Sequence, residues 1–419
     1  MKAYLKNWWG DNHLLLLTAV AVLALFVRFY NFENRITFGP EQAISLITSG
    51  DMIQNDISLL GQENVQRVTS HGHIIFSGVL FSYTLIPLQI LFSYNPISIT
   101  GYFALLNILT GILIYFLGKQ LVSKRIALIA SILFLFNFWM IYHSMFIWIL
   151  NYLPLIGLVT IYLLKQKLSI KNIFYISVLS GLAVSLEYLY IVFSLLTLTY
   201  LLAKSKSKIK VFIAFILGNL IGLLPTVLFD LKHDFYHLRT LTQYALDVFH
   251  STSNSKIDYY HFLPLFPLVF LVIAFLLSKY IKNIFVLSLI VFSYIFINLS
   301  SPLVSFKHPI GMPEDLTWKQ INTFSGAIVE NNPQNYNVAT LIDFDSRGHV
   351  LRYPLTFIFN QSILGPEDYP VADQLFVIAD PNYKFHESQN WEVNSLSPFK
   401  VDKIDQTAGG HALFKLTRL

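Results

Sequence analysis

Apolar positions in this chain come in long blocks, not in the spacing of a half-buried helix or strand. The blocks fill residues 14 to 300, and short polar stretches separate them. A helix needs roughly 20 mostly apolar residues to cross the hydrocarbon core of a bilayer. On that basis the predicted spans are 13–30, 99–118, 126–142, 147–164, 171–186, 189–203, 211–229, 261–278 and 284–300. A further block, 74–93, contains Pro87 and is ambiguous. The expected class is mostly α: a polytopic membrane helix bundle of about nine spans. The first block, Leu14 to Val27, follows Lys2 and Lys6 and runs into Arg28-Phe29-Tyr30-Asn31-Phe32 with no small-residue cleavage site, so an uncleaved first span is expected.

After residue 300 the pattern changes to that of soluble protein. Trp318, Ile321, Phe324 and Ile328 have helical spacing, which predicts a helix over 317–329. Residues 338–342, 375–379 and 412–416 are short apolar runs bounded by polar residues, which predicts strands. The expected organisation is a transmembrane domain over 1–300 and a small α/β extracytoplasmic domain over 301–419.

Loop charge orients the bundle. The loops with Lys119, Lys124 and Arg125; Lys165, Lys167 and Lys171; Lys204 to Lys210; and Lys279 and Lys282 contain no acid. Acids occupy the others: Glu33, Glu41, Asp51, Asp56, Glu63, Glu187, Asp230, Asp234, Asp247 and Asp258. Every basic loop falls on the cytoplasmic side only if 74–93 does not cross. That block is therefore expected to be an interfacial or re-entrant helix within a long first outer loop, 31–98. The N-terminus is then cytoplasmic, and 230–260 and the tail lie outside a cell membrane.

Composition narrows the chemistry. The chain has 419 residues, of which 54% are hydrophobic and 13% charged, against about 25% charged in soluble domains. Phe (36) and Tyr (23) are abundant, as suits interfacial aromatic belts. The absence of cysteine excludes disulfides, thiolate metal sites and Cys nucleophiles. The net charge of +5 is no nucleic-acid signal, because the lysines cluster in short loops between apolar runs.

Candidate chemistry lies in the predicted outer loops. In Phe38-Gly39-Pro40-Glu41-Gln42, Pro40 suits a first helical position, which sets Glu41 in the first turn where the helix dipole favours a carboxylate. The plainer reading is that Glu41 only complements that dipole. His71-Gly72-His73, with Arg67 upstream, lacks a third ligand nearby, so contact with a lipid phosphate is favoured over a metal site. His143, with Trp148 and Asn151, falls at the turn after 126–142. Glu187, between two apolar runs, reads equally as a site residue or a solvated turn. Lys232 and His233, with Arg239 further on, open the second outer loop, where a phosphate headgroup or simple interfacial anchoring would use them.

Arg28-Phe29-Tyr30-Asn31, then Phe38 to Gln42, then a helix after a His/Gly turn resemble the first loop of GT-C fold membrane glycosyltransferases. The nearest likenesses are protein O-mannosyltransferase-like enzymes (glycosyltransferase family 39) and their aminoarabinose-transferase relatives. Leu117-Gly118-Lys119-Gln120-Leu121 and the segment Pro225 to Phe235 add to the likeness, which covers roughly 14–300. The resemblance implies a polyprenyl-phosphate sugar donor, no cofactor, and a first-loop acid as catalytic base, a position that falls on Glu41. Arg67, His71, His73, His143, Lys232, His233 and Arg239 are then the candidates for binding substrate. The acceptor – protein, lipid or cell-envelope glycan – is left open. The chain departs from the pattern in having Glu where Asp is usual, Ile74-Ile75 in place of Pro-Pro, and no Arg…Asp pair at the turn of His143. The competing readings are an inactive relative that binds a polyprenyl lipid, and a lipid-carrier transporter. A transporter more often shows internal repeats and broken midplane helices, and the sequence displays neither.

Overall fold

The computed structural model describes residues 12–250, 258–342 and 345–419. In chain order the helices of the apolar region are α1 (His13–Phe29), α2 (Pro40–Gln54), α3 (Leu80–Leu91), α4 (Pro96–Leu121), α5 (Lys124–Leu135), α6 (Phe138–His143), α7 (Leu153–Lys165), α8 (Ile170–Leu186), α9 (Tyr190–Lys204), α10 (Lys208–Gly222), α11 (Leu224–Lys232), α12 (Tyr236–His250), α13 (Phe266–Tyr280) and α14 (Ile284–Leu299). A hairpin of β1 (Glu63–Val68) and β2 (Ile74–Phe76) follows α2.

Among the described residues two helical stretches are long and apolar enough to cross a membrane, Pro96–Leu121 and Tyr259–Tyr280, and α10 with α11 makes a third if that bent pair is one span. Shorter apolar helices accompany them, so helix length alone does not fix the number of spans. Their outer faces are apolar: Val22 and Phe26 on α1, Leu195 and Leu196 on α9, Phe292 and Phe296 on α14 are all exposed. A soluble monomer rarely displays contiguous apolar surface on that scale, whereas lipid accommodates it.

Three predicted elements are corrected. The span 211–229 is broken: α10 and α11 meet at an angle of 81°. Pro225 sits in the first turn of α11, where its missing N–H does no harm, so a new helix starts there instead of the old one continuing. The span 126–142 breaks at Phe136-Asn137, where the Asn137 side chain caps α6 by accepting from the Trp139 and Met140 N–H groups. The block 74–93 yields a strand, Ile74–Phe76, before its helix, because those residues pair with Glu63 to Val68.

Small residues set a close helix contact. A Cβ on Gly222 would stand 2.7 Å from Gly181 Cα, and one on Gly218 would stand 2.5 Å from Ser177 Cβ. Glycine at both positions lets α8 and α10 approach backbone to backbone, as small residues do between membrane helices.

The tail contains α15 (Trp318–Glu330), β3 (Tyr336–Thr340), α16 (His349–Phe357), β4 (Gln374–Ala379), α17 (Trp391–Asn394), β5 (Phe399–Gln406) and β6 (Ala412–Arg418). The sheet order is β3-β4-β6-β5, with β3 parallel to β4 and the other pairs antiparallel. Val338, Phe376, Ile378 and Leu413 face α15 and α16, while Leu375, Val377 and Phe414 pack with Tyr369, Phe385 and Val393 on the other side. The tail is not a detached body. The Phe38 ring lies 4.6 Å from Trp318 and 5.7 Å from Tyr353, and one hydrophobic core runs from the bundle through α2 into α15 and α16.

Candidate active site

Gly39 is extended and caps α2, Pro40 takes the first helical position, and the Gln42 side chain accepts from the Gly39 N–H at 3.0 Å. This half of a capping box fixes the start of the helix and so the direction of Glu41. With Phe38 held between Trp318 and Tyr353, the segment Phe38 to Gln42 is anchored on both sides of the acid.

Glu41 opens into a cleft of about 410 Å³. Gln42, Tyr142 and Phe146 wall it from the bundle, and Met312, Pro313 and Ile342 wall it from the tail. The tail side is held by a strap over 303–313. Arg35 donates from Nη1 to the Val27 and Tyr30 carbonyls, each at 2.8 Å, and from Nε to the Ser305 carbonyl at 2.5 Å. It thus caps the carbonyl end of α1 and ties it to the strap. Thr37 donates its hydroxyl to the Ile310 carbonyl at 2.7 Å and its N–H to the Met145 carbonyl at 3.0 Å. Gly311 turns the strap into the cleft at φ +81°, a conformation that glycine adopts without strain.

Glu41 is accessible within the cleft, yet the protein around it is dense. Desolvation raises its pKa above the usual glutamate value, and the charge of Arg67 opposes that shift. A carboxylate whose pKa is raised in this way is a better proton acceptor than a free one.

The sequence candidates divide into three groups. Arg67, on β1, is exposed and lies within electrostatic range of Glu41 and of His261. His71 and His73 sit at the hairpin tip, which docks on α12. There Asp247 accepts from the Ser70 N–H at 2.8 Å and from the Ser70 hydroxyl at 2.9 Å, and the His73 ring meets Tyr236 edge-on at 5.7 Å. Lys232, His233 and Arg239 are exposed around the turn from α11 to α12. The His233 ring lies on Phe229, and Arg239 bonds to the Phe235 and Asp234 carbonyls. Among the described residues no contact joins these three to the Glu41 cleft.

His143 is a correction. Expected to bind substrate, it is 2% exposed. Its ring stacks on Trp148 at 4.6 Å, and its Nε2 lies 3.0 Å from the Tyr259 hydroxyl. Burial holds the imidazole well below the usual histidine range. It braces the wall that carries Tyr142 and Phe146 and does not face the cleft as a free donor. Glu187 is a second correction to the solvated-turn reading: its side chain is 13% exposed and stands 3.7 Å from His261 Nδ1. Among the described residues no group of three or more His, Asp or Glu side chains gathers at metal-binding distance.

Sequence reasoning missed Tyr142, Phe146, Met312 and Ile342 as cleft walls, since a lining residue has no signal until remote segments meet. It also missed His237, which is 1% exposed. His237 Nε2 lies 3.2 Å from both the Tyr188 hydroxyl and the Phe76 carbonyl, and its N–H donates to Asp230. It joins α12 to the hairpin and to the end of α8.

A scan against protein-family models and a search of curated proteins find no match. Solved structures do match. ArnT from Cupriavidus metallidurans bound to undecaprenyl phosphate superposes with a TM-score of 0.55 at 10% identity, covering 96% of this chain and 97% of that one. The apo state of the same protein gives 0.56, at the same identity and coverage. The chain has a GT-C fold. The likeness covers nearly the whole of both proteins, tail included. An Archaeoglobus fulgidus oligosaccharyltransferase in complex with Zn and sulfate overlaps more loosely, with a TM-score of 0.43 at 11% identity over 86% of this chain and 67% of that one, too loose a fit to add to the fold assignment.

Proposed function

We propose that this protein transfers a sugar from a polyprenyl-phosphate-linked donor to an acceptor hydroxyl at the outer face of the membrane. The observation that carries the proposal is the first-turn carboxylate of Glu41, which opens into a cleft walled by bundle and tail with the Arg67 charge in range. The acceptor O–H gives its proton to Glu41 as its oxygen attacks the anomeric carbon. The bond from that carbon to the phosphate oxygen breaks, and the phosphate leaves with the electron pair. Arg67 offsets the charge developing on it. His71 and His73 at the hairpin tip, and Lys232, His233 and Arg239 beyond it, serve the headgroup and its approach along the membrane surface. ArnT, which shares the fold, has been solved with undecaprenyl phosphate bound, and that lipid class suits a cleft at the edge of an apolar bundle.

In this reading residues 1–300 form the transmembrane part, with about nine crossings, and residues 301–419 an outer domain that closes the cleft over the acceptor. The N-terminus is cytoplasmic. The test is mass spectrometry of lipid co-purifying with the protein, before and after incubation with candidate acceptor hydroxyls. A polyprenyl-phosphate sugar that becomes polyprenyl phosphate on incubation supports the proposal. A bound polyprenyl lipid unchanged by a broad acceptor panel favours a binding protein without turnover.

A further inference from the structure

A second recess lies on the apolar bundle, and none of its lining residues lines the Glu41 cleft. α4 and α7 run away from the cleft, and their last residues, Leu121 and Lys165, meet Tyr200 of α9 and Leu271, Val272 and Phe275 of α13 around a groove of about 300 Å³. Its walls are apolar side chains apart from Lys165 and Tyr200, both of which are exposed. This groove lies where the acid-free loops lie: Lys119, Lys124 and Arg125 beside α4, and Lys165 and Lys167 beside α7. At the same end Arg125, at the start of α5, keeps its Nε and one Nη enclosed with no hydrogen-bond partner. Enclosed guanidinium nitrogens are costly when unmatched. α5 packs beside α4 at this end, where Ala127 and Leu271 both approach Gly118.

We infer that this groove is a binding site for an anionic phospholipid of the membrane leaflet opposite the Glu41 cleft, with an acyl chain between α4, α7, α9 and α13 and the phosphate at the basic rim. The charge pattern selects this occupant. A zwitterionic lipid brings a cation to a rim that already carries Lys165 and its neighbours, whereas an anionic headgroup brings none. Basic pockets between membrane helices on the cytoplasmic side take anionic headgroups for this reason. The inference rests on the membrane reading of the bundle and not on the transfer reaction, so each can fail without the other.

The test is native mass spectrometry of the full-length protein exchanged into detergent with equal phosphatidylglycerol and phosphatidylethanolamine. The wild type is expected to retain phosphatidylglycerol preferentially. Lys165→Gln should lower that preference about fivefold, the contribution of one lysine to attraction of an anionic lipid, and Lys165→Arg should restore it. Val272→Trp, at an exposed groove position, should reduce retention of both lipids by filling the recess. Equal retention of the two lipids by wild type overturns the site. So does a preference unchanged in both Lys165→Gln and Val272→Trp. Displacement of the phosphatidylglycerol by added undecaprenyl phosphate at equal concentration also overturns it, since the groove then belongs to the donor lipid.

Discussion

At the scale of the residue, Glu41 is caught between two influences. Desolvation raises its pKa and Arg67 opposes the rise. In the proposed role Glu41 acts as a base when ionised, so kcat/KM is expected to fall as pH drops through its pKa, on a limb that burial sets above the ordinary glutamate range. Arg67→Gln removes the opposing charge. The acid limb of the profile should therefore move to higher pH, and an unmoved limb would mean that Arg67 does not act on the base. The same sign governs stability. A carboxyl whose folded-state pKa is raised favours folding when protonated and disfavours it when ionised, so Glu41→Gln is expected to hold or raise the Tm at neutral pH. Glu41 was legible in the sequence because Gly-Pro marks a helix start and the acid follows directly. Arg67 was legible only as a cation near two histidines. Its range of Glu41 depends on a hairpin whose first strand, Glu63 to Val68, is too polar to announce itself.

At the scale of the element, the β1–β2 hairpin is the piece that brings Arg67 towards the cleft, and the half-buried carboxylate of Asp247 helps to hold its tip. The Asp247 pKa is depressed, chiefly by the Ser70 N–H bond. A depressed carboxyl contributes its grip above the usual aspartate range and loses it as pH falls through the folded-state value. Asp247→Asn should therefore speed amide exchange at Ser70 to His73, and wild type below the carboxylate range should do the same. Protection unchanged in the variant would move the tip's anchorage to His237 and Phe76. Elements were legible where hydrophobic pattern and shape agree. The helix 318–330, the strands 336–340 and 374–379, and most apolar helices fall where the sequence puts them. They were illegible where composition continues through a break, as at Leu223 between α10 and α11, and where a strand lies half exposed with charges on alternate positions, as in β5.

At the scale of the whole molecule, the tail and the first loop share one core, and the strap over 303–313 makes the cleft a joint product of both. Topology decides which side of the membrane that cleft serves. The chain has no cysteine, so single cysteines report cleanly. A cysteine at Val122, exposed at the end of α4, should be labelled from the cytoplasmic side, and one at Lys384, exposed in the tail, from outside. The opposite pattern would turn the cleft inwards and remove the reason for a lipid-borne sugar. The fold class could be read from the apolar blocks and the loop charges. The closure of the tail over Glu41 could not, because Phe38 and Trp318, 280 positions apart, carry no sign of each other in the sequence.

The most direct measurement compares wild type with Glu41→Gln, using a polyprenyl-phosphate sugar that the wild type consumes. Donor binding and donor consumption are followed on the same preparations. Binding should be retained, while turnover should fall by about 10²- to 10⁴-fold, the range general base catalysis contributes. Full turnover in the variant, with the fold intact, would contradict the catalytic role of Glu41 and leave the carboxylate as a helix-start residue.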